Sequence, residues 1–378
     1  MRSWGEPPWR RVELPTRSLQ DSAPEVAIVG GGLTGASAAY HVARSGIRAV
    51  LLEAARVGDG ASGRTGGIVL EGTARGVLKG VGQCVPQLAR LVEDAKLDCD
   101  LRLPGCWEIE HRDDADDDGC DDHPGTPSGA LPWKDAGVGI RIARTVVGGT
   151  VDPMALLCGL VRAAADAGAI VHEHAAVRRI DVAPEPALEL DGATIRPRRV
   201  IVVVNAWTSA LLPDVRHVES ALTFALATAP LAPSVIDEIG LGAGFPFYTI
   251  DTPYLWGRLM PDGGVIFGSG LAYGRPRELE NLDLEAADAA AALARLEARV
   301  RKLHPALRKV RVANRWAGPI GIPRGMVPLV GPMPDAPAVL VAGGYAGHGV
   351  ALSVWMGWML ARAIVEDEAL PPWGGVAP

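Results

Sequence analysis

The chain lacks what a nucleic-acid binder, a membrane-spanning protein or a disulfide scaffold would need. It carries 37 Lys and Arg against 44 Asp and Glu, a net charge of −7, whereas binding to phosphate backbones leaves a basic footprint. Five cysteines, Cys84, Cys99, Cys106, Cys120 and Cys158, are spread over 378 residues with no CxxC. That number is odd and the chain is large, so they read as reduced thiols and the expected compartment is the cytoplasm. The opening MRSWGEPPWRRVELP has no apolar run of the kind a secretory signal needs. The most apolar stretch, GVALSVWMGWML at 349–360, has 12 residues, too few to cross a bilayer, and reads as a buried core helix. Lysine is absent from 216–300 and cysteine from 312–350.

What is present is a large apolar fraction, 48% of residues, in a chain long enough for two domains. EVAIVG at 25–30, ASAAYHVARS at 36–45 and RAVLLE at 48–53 have the periodicities of strand, helix and strand, a βαβ unit. A helix is expected from 152, with Asp152 as N-cap and Pro153 in the first turn. Further strands are expected at 170–172 and 200–204. Residues 216–275 look antiparallel, with a hairpin at RLMPDGGVIFG, and 283–303 form one amphipathic helix. The expected fold is α/β: a Rossmann-type dinucleotide domain interleaved with an antiparallel-sheet substrate domain. The first takes residues 21–75, 140–215 and 312–378. The second takes 76–139 and 216–311. Residues 1–20 are an arm whose order the sequence leaves open.

The turn between the first strand and helix reads Gly30-x-Gly32-x-x-Gly35. Gly30 permits the tight turn, Gly32 lets backbone approach a pyrophosphate, and Gly35 lets helix and strand pack closely, while the helix N-terminus faces the phosphates. Glu53 ends the second strand, 21 residues after Gly32, where a carboxylate accepts ribose hydroxyls. Together these point to a dinucleotide, without deciding between NAD and FAD. A bare loop follows: GDGASGRTGG at 58–67 has five glycines in ten residues, suited to lying along an extended cofactor. A second glycine turn, GGYAGHGV at 343–350, precedes the apolar helix.

At this point the chain resembles the D-amino-acid oxidase-like FAD oxidoreductases, a glutathione-reductase-like fold. That group includes glycine and sarcosine oxidases and the γ-glutamylputrescine oxidoreductases. ASGRTGG is similar to the ASGRNGG of the last branch, with Thr65 in place of Asn. The resemblance continues through 148–169, 200–213 and 315–331 and ends at VLVAGGYAGHGVALSVWMGWMLARAI, 339–364. It implies that both glycine turns hold one FAD. The implied cofactor residues at the first turn are Gly30, Gly32, Leu33, Thr34 and Gly35, with Glu53 and Ala54 at the second strand. The loop adds Ala61, Ser62, Gly63, Arg64, Thr65, Gly66 and Gly67. Later segments add Val177, Asn205, Ala206, Trp207 and Gly318, and the second turn adds Gly344, Tyr345, Gly347, His348, Gly349 and Val350. With no cysteine in 312–350, FAD is expected to be non-covalent. The resemblance further implies oxidation of a C–N bond, by hydride transfer to flavin N5 and hydrolysis of the imine.

Departures from the family pattern bear on the substrate. Ile320, in WAGPIG, stands where amino-acid oxidases carry an arginine for the substrate carboxylate. Ala351, after GHGV, stands where sarcosine oxidases carry a lysine. A desolvated carboxylate needs a paired donor, so a bulkier amine or N-substituted amino compound is the expected substrate. Candidate catalytic residues are Arg258, His348 and Tyr254; candidate substrate contacts are Tyr248, Trp256 and Ile320. The alternatives are an amino-acid oxidase with Arg258 as carboxylate clamp, and a flavin-bearing electron-transfer subunit that needs a protein partner. The missing lysine leaves oxygen or another molecule as acceptor. No metal is expected: the calcium-like DDADDDGCDDH has Gly125 at its twelfth position, not Glu, and Cys106, His111, Cys120 and His123 fit no zinc spacing.

Overall fold

The computed structural model describes residues 4–17, 24–112, 130–182, 185–252 and 254–377. Its first sheet has six strands, in the order Leu329–Met333, Ala336–Gly343, Arg199–Val202, Val26–Val29, Ala49–Leu52 and Ile170–His172. All neighbours are parallel except the first pair. The strand Val26–Val29 is buried on both faces, which is why it is apolar without alternation. Val26 and Ile28 point into a core made with the helices Leu33–Arg44, Cys84–Asp94, Pro153–Asp166 and Gly349–Val365. Ala27 and Val29 point the other way, toward a three-stranded sheet of Val177–Asp181, Ala187–Leu190 and Ala193–Ile195. Asp152 caps its helix, accepting from the Met154 and Ala155 N–H groups at 2.9 Å each, with Pro153 in the first turn.

The second sheet has eight strands. They run Val312–Pro323, Val218–Thr228, Val265–Tyr273, Trp256–Leu259, Phe247–Thr249, Cys106–Arg112, Val138–Val146, Ala130–Asp135. Only the pair Phe247–Thr249 and Cys106–Arg112 is parallel. Side chains alternate between two faces. Phe224, Leu226, Phe247 and Phe267 belong to the cores under the helix Ala287–Leu303. On the opposite face one row of paired residues crosses seven strands: Trp316, Ala225, Gly268, Trp256, Tyr248, Glu108 and Arg144.

Strand pairing redraws parts of the segment map. Val138–Val146 and Val312–Pro323, read with the dinucleotide segments, pair in the eight-stranded sheet. The helix Cys84–Asp94, read with an insertion, packs in the helix layer of the six-stranded sheet. The boundary placed at 140 cut through the hairpin of Ala130–Asp135 with Val138–Val146, whereas Val312–Pro323 meets Val218–Thr228, far back in the chain, and so leaves no local signal.

Residues 4–17 are an ordered arm. Trp4 is fully buried, and its indole N–H donates to the Leu279 carbonyl at 2.7 Å. Gly5 bridges Trp316 on the edge strand of the large sheet, and Thr16 bridges Val171 on the edge strand of the six-stranded sheet. One extended segment thereby covers an open edge of each sheet. Asp152→Ala removes the cap of the helix Pro153–Asp166 and is expected to lower stability by about 1 kcal/mol, read as a fall in the urea midpoint at unchanged slope.

Candidate functional site

Four neighbouring parallel strands end side by side, and each ends in a residue singled out by the sequence. In sheet order they are Gly343, then Asn205 just beyond Val202, then Gly30, then Glu53. Gly30 has φ +113°, and a Cβ on Gly35 would lie 1.9 Å from the Gly30 carbonyl oxygen, so helix and strand meet only if Gly35 is bare. A Cβ on Gly32 would lie 2.9 Å from the Ser62 hydroxyl, which accepts from the Leu33 N–H at 2.9 Å. The Glu53 carboxylate is held at its strand end by the N–H groups of Gly31 (2.9 Å) and Ala55 (3.0 Å). The Asn205 side chain accepts from the Gly344 N–H at 2.9 Å. The two glycine turns touch through the 2.8 Å hydrogen bond shared by the Thr34 and Tyr345 hydroxyls. Open strand ends at such a chain crossover are where α/β sheets place ligands.

The bare loop 58–67 is held by its own Arg64, by Arg258 from the large sheet, and by the arm. The Arg64 guanidinium donates to the carbonyls of Gly5 (2.8 Å), Asp59 (3.1 Å) and Ala317 (3.2 Å), and sits over the Trp4 ring. Arg258 is 1% exposed and donates to the carbonyls of Val151 (2.6 Å) and Gly67 (3.2 Å), with the Trp9 ring against its guanidinium. Burial pulls its pKa down to about 10. The Trp9 indole donates to the Thr65 carbonyl at 2.9 Å, and Arg11 pairs with Asp59. Trp256 lies so close over Gly66 that a Cβ there would come within 2.2 Å of its ring.

The second turn meets the row on the large sheet. A Cβ on Gly347 would lie 3.6 Å from the Ile320 side chain. The His348 and Tyr248 rings stand 6.5 Å apart, edge to face. The Tyr248 hydroxyl donates to Glu108, whose other oxygen accepts from Arg144. Burial raises the Glu108 pKa, and the hydrogen bonds from Arg144 and Tyr248 outweigh it and hold the carboxyl below its usual value. Burial, followed by the Glu108 carboxylate, raises Tyr248, and burial lowers His348, favouring the neutral imidazole. The His348 Nδ1 atom is buried with no hydrogen-bond partner among the described residues.

Comparison with known proteins now decides the cofactor. The family model described as FAD dependent oxidoreductase matches residues 25–363. The chain belongs to this family. It is 28% identical to the probable oxidoreductase OrdL of Rhizobium meliloti (strain 1021), covering 94% of this chain and 87% of that protein. It is 25% identical to the gamma-glutamylputrescine oxidoreductase of Escherichia coli (strain K12), covering 91% and 84%. In fold it is similar to glycine oxidase from Geobacillus kaustophilus, with a TM-score of 0.70 at 19% identity, covering 92% of this chain and 96% of that one. It is similar likewise to NikD, described as an unusual amino acid oxidase, with a TM-score of 0.72 at 17% identity and coverage of 94% and 98%. FAD is therefore the cofactor of this oxidoreductase. The bare backbone at Gly30, Gly32 and Gly35 and the carboxylate at Glu53 fit its dinucleotide part.

The expected site residues separate into groups. Gly30, Gly32, Leu33, Thr34, Gly35, Glu53, Ala54, Asn205 and the glycines of the second turn share the sheet edge. Ala61, Ser62 and Gly63 form a short 3-10 turn in the bare loop, with Ser62 against the Leu33 N–H. Val350 lies in the first turn of the helix Gly349–Val365. Val177 opens the three-stranded sheet, where it pairs with Leu190. Ala206 is buried beside Gly321, and Gly318 backs onto Arg64. Tyr248, Trp256, Ile320 and His348 come together.

Four expected roles meet a different placement. Arg258 was a candidate clamp, and its guanidinium is buried on the carbonyls of Gly67 and Val151. Tyr254 is 56% exposed, and its carbonyl accepts from Arg299, so it lies on the rim by the helix Ala287–Leu303. Trp207 points to the arm, donating to Glu280 at 2.6 Å beside Trp4. The Arg64 guanidinium likewise turns to arm carbonyls. Among the described residues no group of three metal-ligating side chains occurs; the acidic stretch 113–125, with Cys120 and His123, lies outside them.

Glu108, Arg144, Trp4 and Trp9 were missed. The alternation in CWEIEHR marks a strand, but only its pairing with Tyr248 shows where Glu108 faces. Arg258→Leu would leave the buried Val151 carbonyl without this donor, worth about 1–3 kcal/mol, while the Gly67 carbonyl keeps the Val151 N–H at 2.9 Å. The expected outcome is a lower melting temperature with an unchanged ratio of KM between amines with and without a carboxylate. Trp9→Ala is expected to speed FAD release, followed by flavin fluorescence, because the loop loses the indole bond at Thr65 and the cover over Arg258.

Proposed function

We propose that this FAD-dependent oxidoreductase oxidises the C–N bond of an amine or N-substituted amino compound larger than glycine, with FAD held non-covalently. The observation that carries this reading is the wall facing the second glycine turn. It consists of Ile320 beside Gly347 and Tyr248 beside the His348 imidazole of that turn, continued by Trp256 over the bare loop at Gly66, and the neighbouring guanidiniums of Arg64, Arg258 and Arg144 are engaged by carbonyls or by Glu108. Such a wall suits an apolar body and disfavours a small amino acid held by its carboxylate. FAD, when bound, supplies the two-electron acceptor. The chain's own part is orientation: Trp256 and Tyr248 line one side, and Ile320 fills the position beside Gly347. A neutral His348 places no charge beside an amine that must itself be neutral to react. The curated relative named for gamma-glutamylputrescine supports an amine substrate.

The clamp reading for Arg258 loses support from its two carbonyl partners. Oxygen or another small molecule takes the electrons on this reading. The buried free thiols of Cys84, Cys99, Cys106 and Cys158 support a reducing compartment such as the cytoplasm. No helix among the described residues is long and apolar enough to cross a membrane. The test is the visible spectrum of the purified protein, recorded anaerobically after adding a panel of amines and amino acids. Bleaching of the flavin bands by bulky amines, with glycine and D-alanine slower, is the expected result. A flavin that no amine bleaches, or that glycine bleaches as fast, overturns the reading.

A further inference from the structure

The row on the inner face of the large sheet ends in a charge that the proposed reaction does not use. Glu108 is 8% exposed and lies one strand beyond Tyr248, on the same face as Trp256. Strands lie about 4.8 Å apart, so Glu108 stands roughly 10 Å from the Trp256 position over the bare loop. A buried carboxylate on a substrate wall of Ile320, Tyr248 and Trp256 has no packing purpose: burying it costs solvation that an apolar residue would not. Its cation is Arg144, which reaches in through Nε from the next strand while 66% of its side chain stays in solvent. A pair so exposed on one side is weak and exchangeable. The Tyr248 hydroxyl, by contrast, is fixed on the same carboxylate from inside the site.

We infer that Glu108 is a specificity-determining residue that receives a second positive charge on the substrate, an ammonium at the far end of a linear chain, in exchange for Arg144. The preferred substrates are then linear diamines, or amines carrying a distal ammonium, over simple alkylamines and over amines carrying a carboxylate. The inference rests on the amine reading for the identity of the reacting end, but the charge recognition is tested without turnover. With its second amine free to pair, such a substrate gains a charge-assisted hydrogen bond in a desolvated site. Arg144 swings to solvent, where its own charge is hydrated.

Binding is measured by calorimetry on the holoenzyme reduced anaerobically with dithionite, so that nothing is oxidised, with cadaverine against pentylamine. The wild type is expected to bind cadaverine at least about tenfold more tightly. Glu108→Gln is expected to bring the two within about twofold by weakening cadaverine alone, and Arg144→Ala to strengthen cadaverine by removing its competitor. Each variant is first checked for cooperative melting and a flavin spectrum; should Glu108→Gln fail to fold, Arg144→Ala carries the test. Equal binding of the two amines by the wild type, a Glu108→Gln variant that keeps the preference, or weaker cadaverine binding in Arg144→Ala overturns the inference. A diamine preference that depends on Glu108, in an enzyme whose flavin no amine bleaches, would sink the proposed reaction and leave this recognition standing.

Discussion

A ten-residue loop with five glycines cannot hold its own shape, and the site depends on how residues 58–67 are held. Glycine pays the largest backbone entropy on ordering and brings no side chain to pack. The restraint therefore comes chiefly from two guanidiniums that donate to backbone carbonyls, the loop's own Arg64 reaching out and Arg258 reaching in. Arg64 ties the loop to Gly5 and Ala317, and Arg258 ties it to Val151. Each arginine has a tryptophan of the arm against its plane, Trp4 and Trp9. A planar fork with several donors suits this work better than a lysine, whose charge sits at one point.

That use of the arginines has a chemical consequence. A guanidinium buried at 1% exposure and engaged by two carbonyls cannot also clamp a substrate carboxylate without abandoning them. Stabilising the loop and recognising an acid are competing demands on Arg258, and the loop holds it. On the proposed reading, Ile320 beside Gly347 makes the site wall apolar where a cation would be needed for a small amino acid, and Ala351 lies in the core. The arm belongs to the same economy: one extended segment covers both sheet edges and supplies the aromatic covers over the two arginines.

On the proposed reading, the alternation of the large sheet separates stability from recognition. Its outer face holds Phe224, Phe247 and Phe267 under the helix Ala287–Leu303, a dry aromatic core. Its inner face holds the larger polar residues, Tyr248 and Glu108, in one row with Trp256 and Trp316. The period of two lets adjacent residues, Phe247 and Tyr248 or Trp107 and Glu108, serve opposite faces. A one-residue slip in either strand would exchange core for site.

Much of the cofactor side was legible in the sequence because its signals are local. A βαβ unit with Gly30, Gly32, Gly35 and Glu53 in register needs only thirty residues of context, and the Asp152-Pro153 helix start needs two. The second glycine turn was legible for the same reason, as bare backbone between a strand and an apolar helix. What the sequence alone determined is thus the dinucleotide cradle, the main elements and the lack of a cation at Ile320 and Ala351. Only the tertiary structure decided the rest: that Val312–Pro323 joins the large sheet, that the arm is ordered, that Arg258 and Arg64 hold the loop, that Tyr254 lies on the rim, and that Glu108 faces Tyr248. Each of these depends on which strand or carbonyl a residue meets far along the chain, or on which face of a paired strand it takes. Composition and spacing do not encode that choice locally; it is made when the sheets pair and close over the loop.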